Sequence, residues 1–113
     1  MYYDRHGIPL TMNQWAQLRG GDEPEYCRVA RTAVMAPHDP NRIVHISTVW
    51  LGLDHSFGNN DRPQIFETLT DGPDGDEVME RYSTEDEAEA GHRRHVVAIA
   101  GHITDAVVTD IHE

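Results

Sequence analysis

Apolar and polar positions along the chain fall into four short alternating runs followed by one long helical stripe. The first run, "YCRVARTAVM" (residues 26–35), alternates with the period of a strand. The second, "RIVHISTVWLGL" (42–53), is rich in Val, Ile, Thr and Trp, which suit a pleated surface. Val49, Leu51 and Leu53 point to one face of it, and Thr48, Trp50 and Gly52 to the other. A strand apolar on both sides predicts a central position with cover on both faces. "QIFETLT" (64–70) is a third strand. "EVMERY" (77–82) is a fourth, placed at a sheet edge because Glu and Arg alternate with apolar residues. Breaker-rich turns, "PHDPN", "SFGNNDRP" and "DGPDGD", separate the runs.

The period then changes from two to 3.6. Thr84 followed by Glu87 makes a capping box, and Glu85, Asp86 and Glu87 crowd a first turn whose dipole favours negative charge. From there Ala88, His92, His95, Val96, Ile99 and Ile103 share one helical face. Gly101 ends the helix, kinks it or is tolerated within it, and "DAVVTDIHE" reads equally as helix or as a β-like tail. Upstream, "YYDRHGIPLT" predicts a small hairpin around an Asp-Arg-His-Gly turn. Thr11 caps a short helix on which Met12, Trp15, Ala16 and Arg19 form one stripe, with Gly20 at its end. The expected fold is α+β: an antiparallel four-stranded meander, a short N-terminal hairpin and helix, and a long C-terminal helix packed on the sheet. Residues 1–113 are expected to form a single domain.

Composition narrows what such a domain does. Twenty acids against nine bases give a net charge of −11, and residues 64–91 hold ten acids against one base, Arg81. A chain this acidic is not expected to bind nucleic acid through phosphate contacts, though an acidic face suits a basic protein surface. No apolar run reaches the roughly 18 residues that span a bilayer, and the first ten residues lack the apolar stretch of a signal peptide. The lone cysteine, Cys27, excludes an internal disulfide and fits a reducing cytoplasm.

Candidate chemistry centres on five residues: Asp54, His55, Glu67, His92 and His95. Asp54-His55 closes the second strand. Neighbours on a strand point apart, so the pair reads first as a structural corner in which Asp54 orders the following loop. In that reading Leu51 and Leu53 lie beneath the long helix, and Gly52 lets a neighbour approach closely. Glu67 shares a strand face with Ile65 and Leu69. If that face meets the helix, Glu67 pairs with His92 or His95, because a buried carboxylate needs a partner. Eight histidines allow a metal site built from His55, Glu67, His92 and His95, but no HExxH or Cys-x-x-Cys spacing supports one, and neither metal nor cofactor is expected. Cys27 lies mid-strand without an activating neighbour, and no nucleophile elbow or phosphate loop is present.

Four stretches, "YDRHGIPLTMNQWAQL", "STVWLGLDHSFG", "PQIFETL" and "RYSTEDEAEAGH", resemble a family of small actinobacteriophage proteins whose activity is not established. The resemblance covers most of residues 2–92, and its Ser-Thr-Val-Trp-Leu-Gly-Leu-Asp-His core is the most specific part. "MAPHDPNR" and "LTDGPDGDE" depart from the pattern. A base content made wholly of arginine agrees with GC-rich coding. The resemblance implies a phage source and no mechanism. The function expected is that of a small acidic accessory protein without catalytic activity, binding a host or phage protein in the host bacterial cytoplasm. The alternative is a small-molecule or metal pocket, or an enzyme, built around His55, Glu67, His92 and His95.

Overall fold

A computed structural model describes residues 1–20, 24–54 and 62–111. Its element order is β1 (Tyr2–Tyr3), β2 (Pro9–Leu10), α1 (Met12–Gly20), a 3-10 turn (Pro24–Tyr26), β3 (Arg28–Ala36), β4 (Asp39–Trp50), β5 (Phe66–Gly72), β6 (Gly75–Tyr82), α2 (Glu85–Ala100) and β7 (Val107–Asp110). The α+β class and the N-terminal hairpin are as the sequence predicts. In that hairpin the Asp4 carboxylate accepts the amides of His6 and Ile8, and Gly7 supplies the left-handed turn residue.

The sheet has five strands, not four. All neighbours are antiparallel, in the order β6-β5-β4-β3-β7. The fifth strand is the tail that the sequence left open. Asp105 turns the chain through a positive φ, and the β-branched Val107, Val108 and Thr109 then pair along β3 from Met35 to Thr32. Helix α2 therefore serves as the crossover that carries the chain from one edge of the sheet to the other. It starts at the capping box: the Thr84 hydroxyl accepts the Glu87 amide at 3.1 Å, and the Glu87 carboxylate accepts the Thr84 amide at 3.2 Å.

Helix α2 lies along β3, β4, β5 and β6 on one face of the sheet. That face carries Thr32 and Val34, Ile46, Thr48 and Trp50, Phe66, Thr68 and Thr70, and Tyr82, all buried. Registry fixes the assignment, since Trp50, Phe66 and Tyr82 stand opposite one another across three strands. The core under the first turns of α2 is Trp50, Ile65, Phe66, Tyr82 and Ala88, extended by Tyr3, Leu10, Trp15, Leu18, Tyr26, Cys27 and Val29 from the N-terminal segment. Gly52 has φ +72, and a side chain there would collide with the Trp15 and Trp50 indoles. The close approach expected at Gly52 is thus made by two tryptophans.

The face assignment corrects two expectations. Leu51 and Leu53 are half-buried beyond the end of β4 and do not lie beneath α2; Thr48 and Trp50 do. Glu67 and Leu69 stand on the opposite face, in rows with Val49 and Arg81 and with Ser47 and Val78. Period two gives each side chain its partners but not which of the two faces the helix covers. Here the covered face carries the threonines.

Candidate functional site

Beneath α2 a line of polar side chains crosses the whole sheet. The Tyr82 hydroxyl donates to Thr68 Oγ1 at 2.9 Å. Thr68 and Thr48 hydroxyls meet at 2.5 Å. Thr48 Oγ1 lies 2.7 Å from His92 Nδ1, and Thr32 Oγ1 lies 2.8 Å from His92 Nε2. Thr32 then donates to the Asp110 carboxylate at 2.9 Å. Each of β6, β5, β4, β3 and β7 contributes one residue, with the helix histidine inserted between β4 and β3.

The proton order follows from the donor inventory, because each hydroxyl has one hydrogen to give. Thr32 spends its hydrogen on Asp110, so it must accept from His92 Nε2–H. Neutral His92 then accepts at Nδ1 from Thr48. Thr48 accepts from Thr68, and Thr68 from Tyr82. Every donor points toward Asp110. The tautomer is therefore Nε2–H, set by the network. His92 is 4 % exposed, and burial holds its pKa below the ordinary 6.5; the Asp110 charge opposes this, while His95 and Arg93 reinforce it. Burial also raises the Tyr82 phenol.

The far end of the line opens beside Glu80. Burial alone would raise the Glu80 carboxyl, but the hydrogen bonds of His95 and Arg94 and the Arg94 charge outweigh it and hold the group below its usual range. His95 Nε2 lies 3.0 Å and Arg94 3.2 Å from Glu80 Oε1.

A helix histidine therefore does meet a strand carboxylate, but the pair is His95–Glu80. Glu67 instead accepts from Arg81 Nε at 3.0 Å on the sheet face away from α2. The predicted contact of Glu67 with His92 or His95 is absent for the parity reason given above. Asp54 accepts the Gln64 amide at 2.9 Å, which ties the far side of the loop to the strand end, as the corner reading expects. His55 lies outside the described residues. Among the described residues no group of three or more His, Cys, Asp or Glu side chains is placed to hold a metal ion.

Sequence reasoning missed Thr32, Thr48, Thr68, Tyr82 and Asp110. A signal was available: Thr48 sits two positions from both Ile46 and Trp50, and Thr68 two from Phe66. A threonine in the apolar phase of a strand is a buried hydroxyl that requires a partner.

Two of the clefts beside α2 border this polar line. One, of about 340 Å³, is lined by Arg62, Arg81 and Arg94 together with Glu80, Tyr82 and Glu87. Its arginines are all matched to carboxylates: Arg62 to Glu87, Arg81 to Glu67 and Arg94 to Glu80. The other, of about 580 Å³, runs along β3 beyond the end of β7, where Arg28, Arg31 and Thr32 meet Glu89, His92 and Arg93 of α2, with Glu25, Asp110 and Ile111 completing the wall. At the opposite edge β6 exposes Val78 and Met79 among Asp71, Asp74, Asp76 and Glu77. The Asp76 carboxyl is held above its usual range by hydrogen bonding to Asp71 and by the charge of Asp71.

Comparison of the chain with known protein families, with characterised proteins and with solved structures finds no match.

Proposed function

We propose that this is a small phage accessory protein without catalytic activity, which works in the host bacterial cytoplasm by binding another protein along the free edge of β6. The source and location rest on the resemblance described above. The binding reading rests on one observation: an eight-residue edge strand that leaves Val78 at 47 % and Met79 at 38 % exposed among carboxylates. An edge strand offers unpaired backbone donors and acceptors to an extended segment of a partner, and exposed side chains supply the selectivity. Asp71, Asp74, Asp76 and Glu77 repel a second copy of the same edge, so the fitting partner is an extended segment that alternates basic and apolar residues. A cation seated between Asp71 and Asp76 would also relieve the repulsion that raises Asp76. Catalysis is disfavoured by the site itself. Thr32, Thr48 and Thr68 are at most 1 % exposed, so the hydroxyl closest to a base is out of reach of a substrate.

The test is selection of extended peptides from a displayed random library on the immobilised protein. Basic, alternating sequences should be enriched, and their binding should weaken as salt rises. Replacing Asp71 and Asp76 together by Asn should reduce affinity by about tenfold or more, since two charge contacts are lost. Peptides with no excess of Lys or Arg, or binding indifferent to the double substitution, would remove the basis of this reading.

A further inference from the structure

The sheet has a second face, turned away from α2, and registry shows what it carries. One row runs Arg28, Val49, Glu67, Arg81 across β3, β4, β5 and β6. The next runs Arg31, Ser47, Leu69, Val78, and the third Ala33, His45, Asp71, Asp76. Met35 and Ile43 form a fourth row with Val107 of β7. Helix α2 packs on the opposite face, and α1 packs on β1 and the 3-10 turn. Met35, Ile43, Val49 and Leu69 are left half-buried, and Val78 and Val107 are exposed.

This face differs from the rest of the surface in two ways. The chain has twenty acids against nine bases, yet these rows hold three of each: Arg28, Arg31 and Arg81 against Glu67, Asp71 and Asp76. Most of the molecule repels a second copy, and this face does not. It also holds every buried side-chain nitrogen or oxygen left without a hydrogen-bond partner among the described residues: Arg28 Nη1, Arg31 Nε and His45 Nδ1. Such atoms are costly unless a further surface supplies their partners.

The charges on this face are laid out in order. The bulge between Arg28 and Ala30 brings both β3 arginines to the same side, so β3 contributes bases and no acid. β5 contributes Glu67 and Asp71 and no base. The two strands flank β4 on either side. A two-fold axis running along β4, between two copies, lays β3 of each copy over β5 of the other and keeps the rows in step. Arg31 then comes within side-chain reach of Asp71 of the second copy, one row on, and symmetry repeats the contact. Glu67 already has Arg81, whereas Asp71 faces the like charge of Asp76 and gains a counter-charge.

We propose that two copies of this chain pack face to face through the sheet surface away from α2, with Arg31 of each copy paired to Asp71 of the other. Antiparallel sheets pack in this way about 10 Å apart, with strands nearly aligned and inner side chains interdigitating. Five strands about 4.8 Å apart and about seven residues long present roughly 500 Å² in projection, and more in accessible area. That is the scale of a standard interface, which takes about 800 Å² from each partner. The two α2 helices then cover the assembly on its outer sides. Both β6 edges stay open, and Arg31 lies three strands from β6, so the inference does not rest on the peptide-binding reading.

Sedimentation equilibrium of the whole chain over a series of concentrations gives the mass and the dimer dissociation constant. A dimer is expected, and it should weaken as salt rises. Arg31→Asp and Asp71→Arg each set like charges against one another at both symmetry-related contacts. Each alone should raise the dissociation constant by about a hundredfold or more, as for two contacts of about tenfold each. Mixed in equal amounts, the two variants should form a heterodimer, because both contacts are then opposite in charge again. Asp71 is exposed, so Asp71→Arg reads the interface even where Arg31→Asp fails to fold. Basic-peptide binding by the Arg31→Asp protein reads the β6 edge by itself, so the two readings fail separately. A chain that stays monomeric at every concentration would overturn the proposal. So would a dimer that Asp71→Arg leaves intact, or a mixture of the two folded variants that stays monomeric.

Discussion

His92 shows how a single buried side chain can be read correctly in position and wrongly in partner. It sits on the apolar stripe of its helix, as the sequence predicts, and burial decides its protonation. Its partners, however, are threonine hydroxyls and not a carboxylate, so no adjacent charge pair compensates a proton. The consequence for stability has a definite sign. With the folded pKa below 6.5, the unfolded chain binds the proton more readily. The contribution of His92 is then fully present above pH 6.5 and is lost as pH falls from 6.5 through the lower folded value. Histidine titration by NMR should place His92 below 6.5, and His92→Asn should reduce the loss of unfolding free energy between pH 7 and 5. A His92 that titrates at or above 6.5 would mean that its ring is charged in the fold. Glu67 illustrates the complementary error. An acid among apolar neighbours needs a partner, and Arg81 supplies it, but alternation alone does not say which side of the sheet that partner occupies.

At the scale of elements, the most legible feature was the start of α2. Thr84 and Glu87 are close in sequence, so their interaction depends on local geometry and not on the fold. Thr84→Ala should therefore lower stability by about 1 kcal/mol in chemical denaturation, with no change in the slope against denaturant. An unchanged midpoint would show that the cap contributes nothing measurable. The helix also reveals a requirement that only packing can impose. Gly91 faces the Tyr82 ring so closely that a side chain there would overlap it. Nothing in the sequence around Gly91 distinguishes it from a tolerated helical glycine. β7 was the least legible element, because "VVTD" is too short to carry a period and its role comes from pairing with a strand some seventy residues earlier.

Across the whole molecule, the meander and the covering helix were legible because each is written in local periodicity. The fifth strand, the covered face and the two clefts were not, since each depends on where distant segments meet. The polar line under α2 is the clearest product of that assembly. It has a consequence for how substitutions combine. Residues well apart on a sheet ordinarily contribute independently to stability. Tyr82 and Thr48 stand on different strands, yet both act on the single hydroxyl of Thr68. Once Thr48→Val removes the acceptor for its hydrogen, Thr68 is free to turn, and the Tyr82 hydroxyl has less order left to support. The combined loss in a Tyr82→Phe, Thr48→Val protein should then fall short of the sum of the two single losses by about 0.5 kcal/mol or more. Losses that simply add would mean that the five bonds are separate contacts. A measurable shortfall would mean that five strands, joined edge to edge by their backbones, are joined a second time by one cooperative array of side chains.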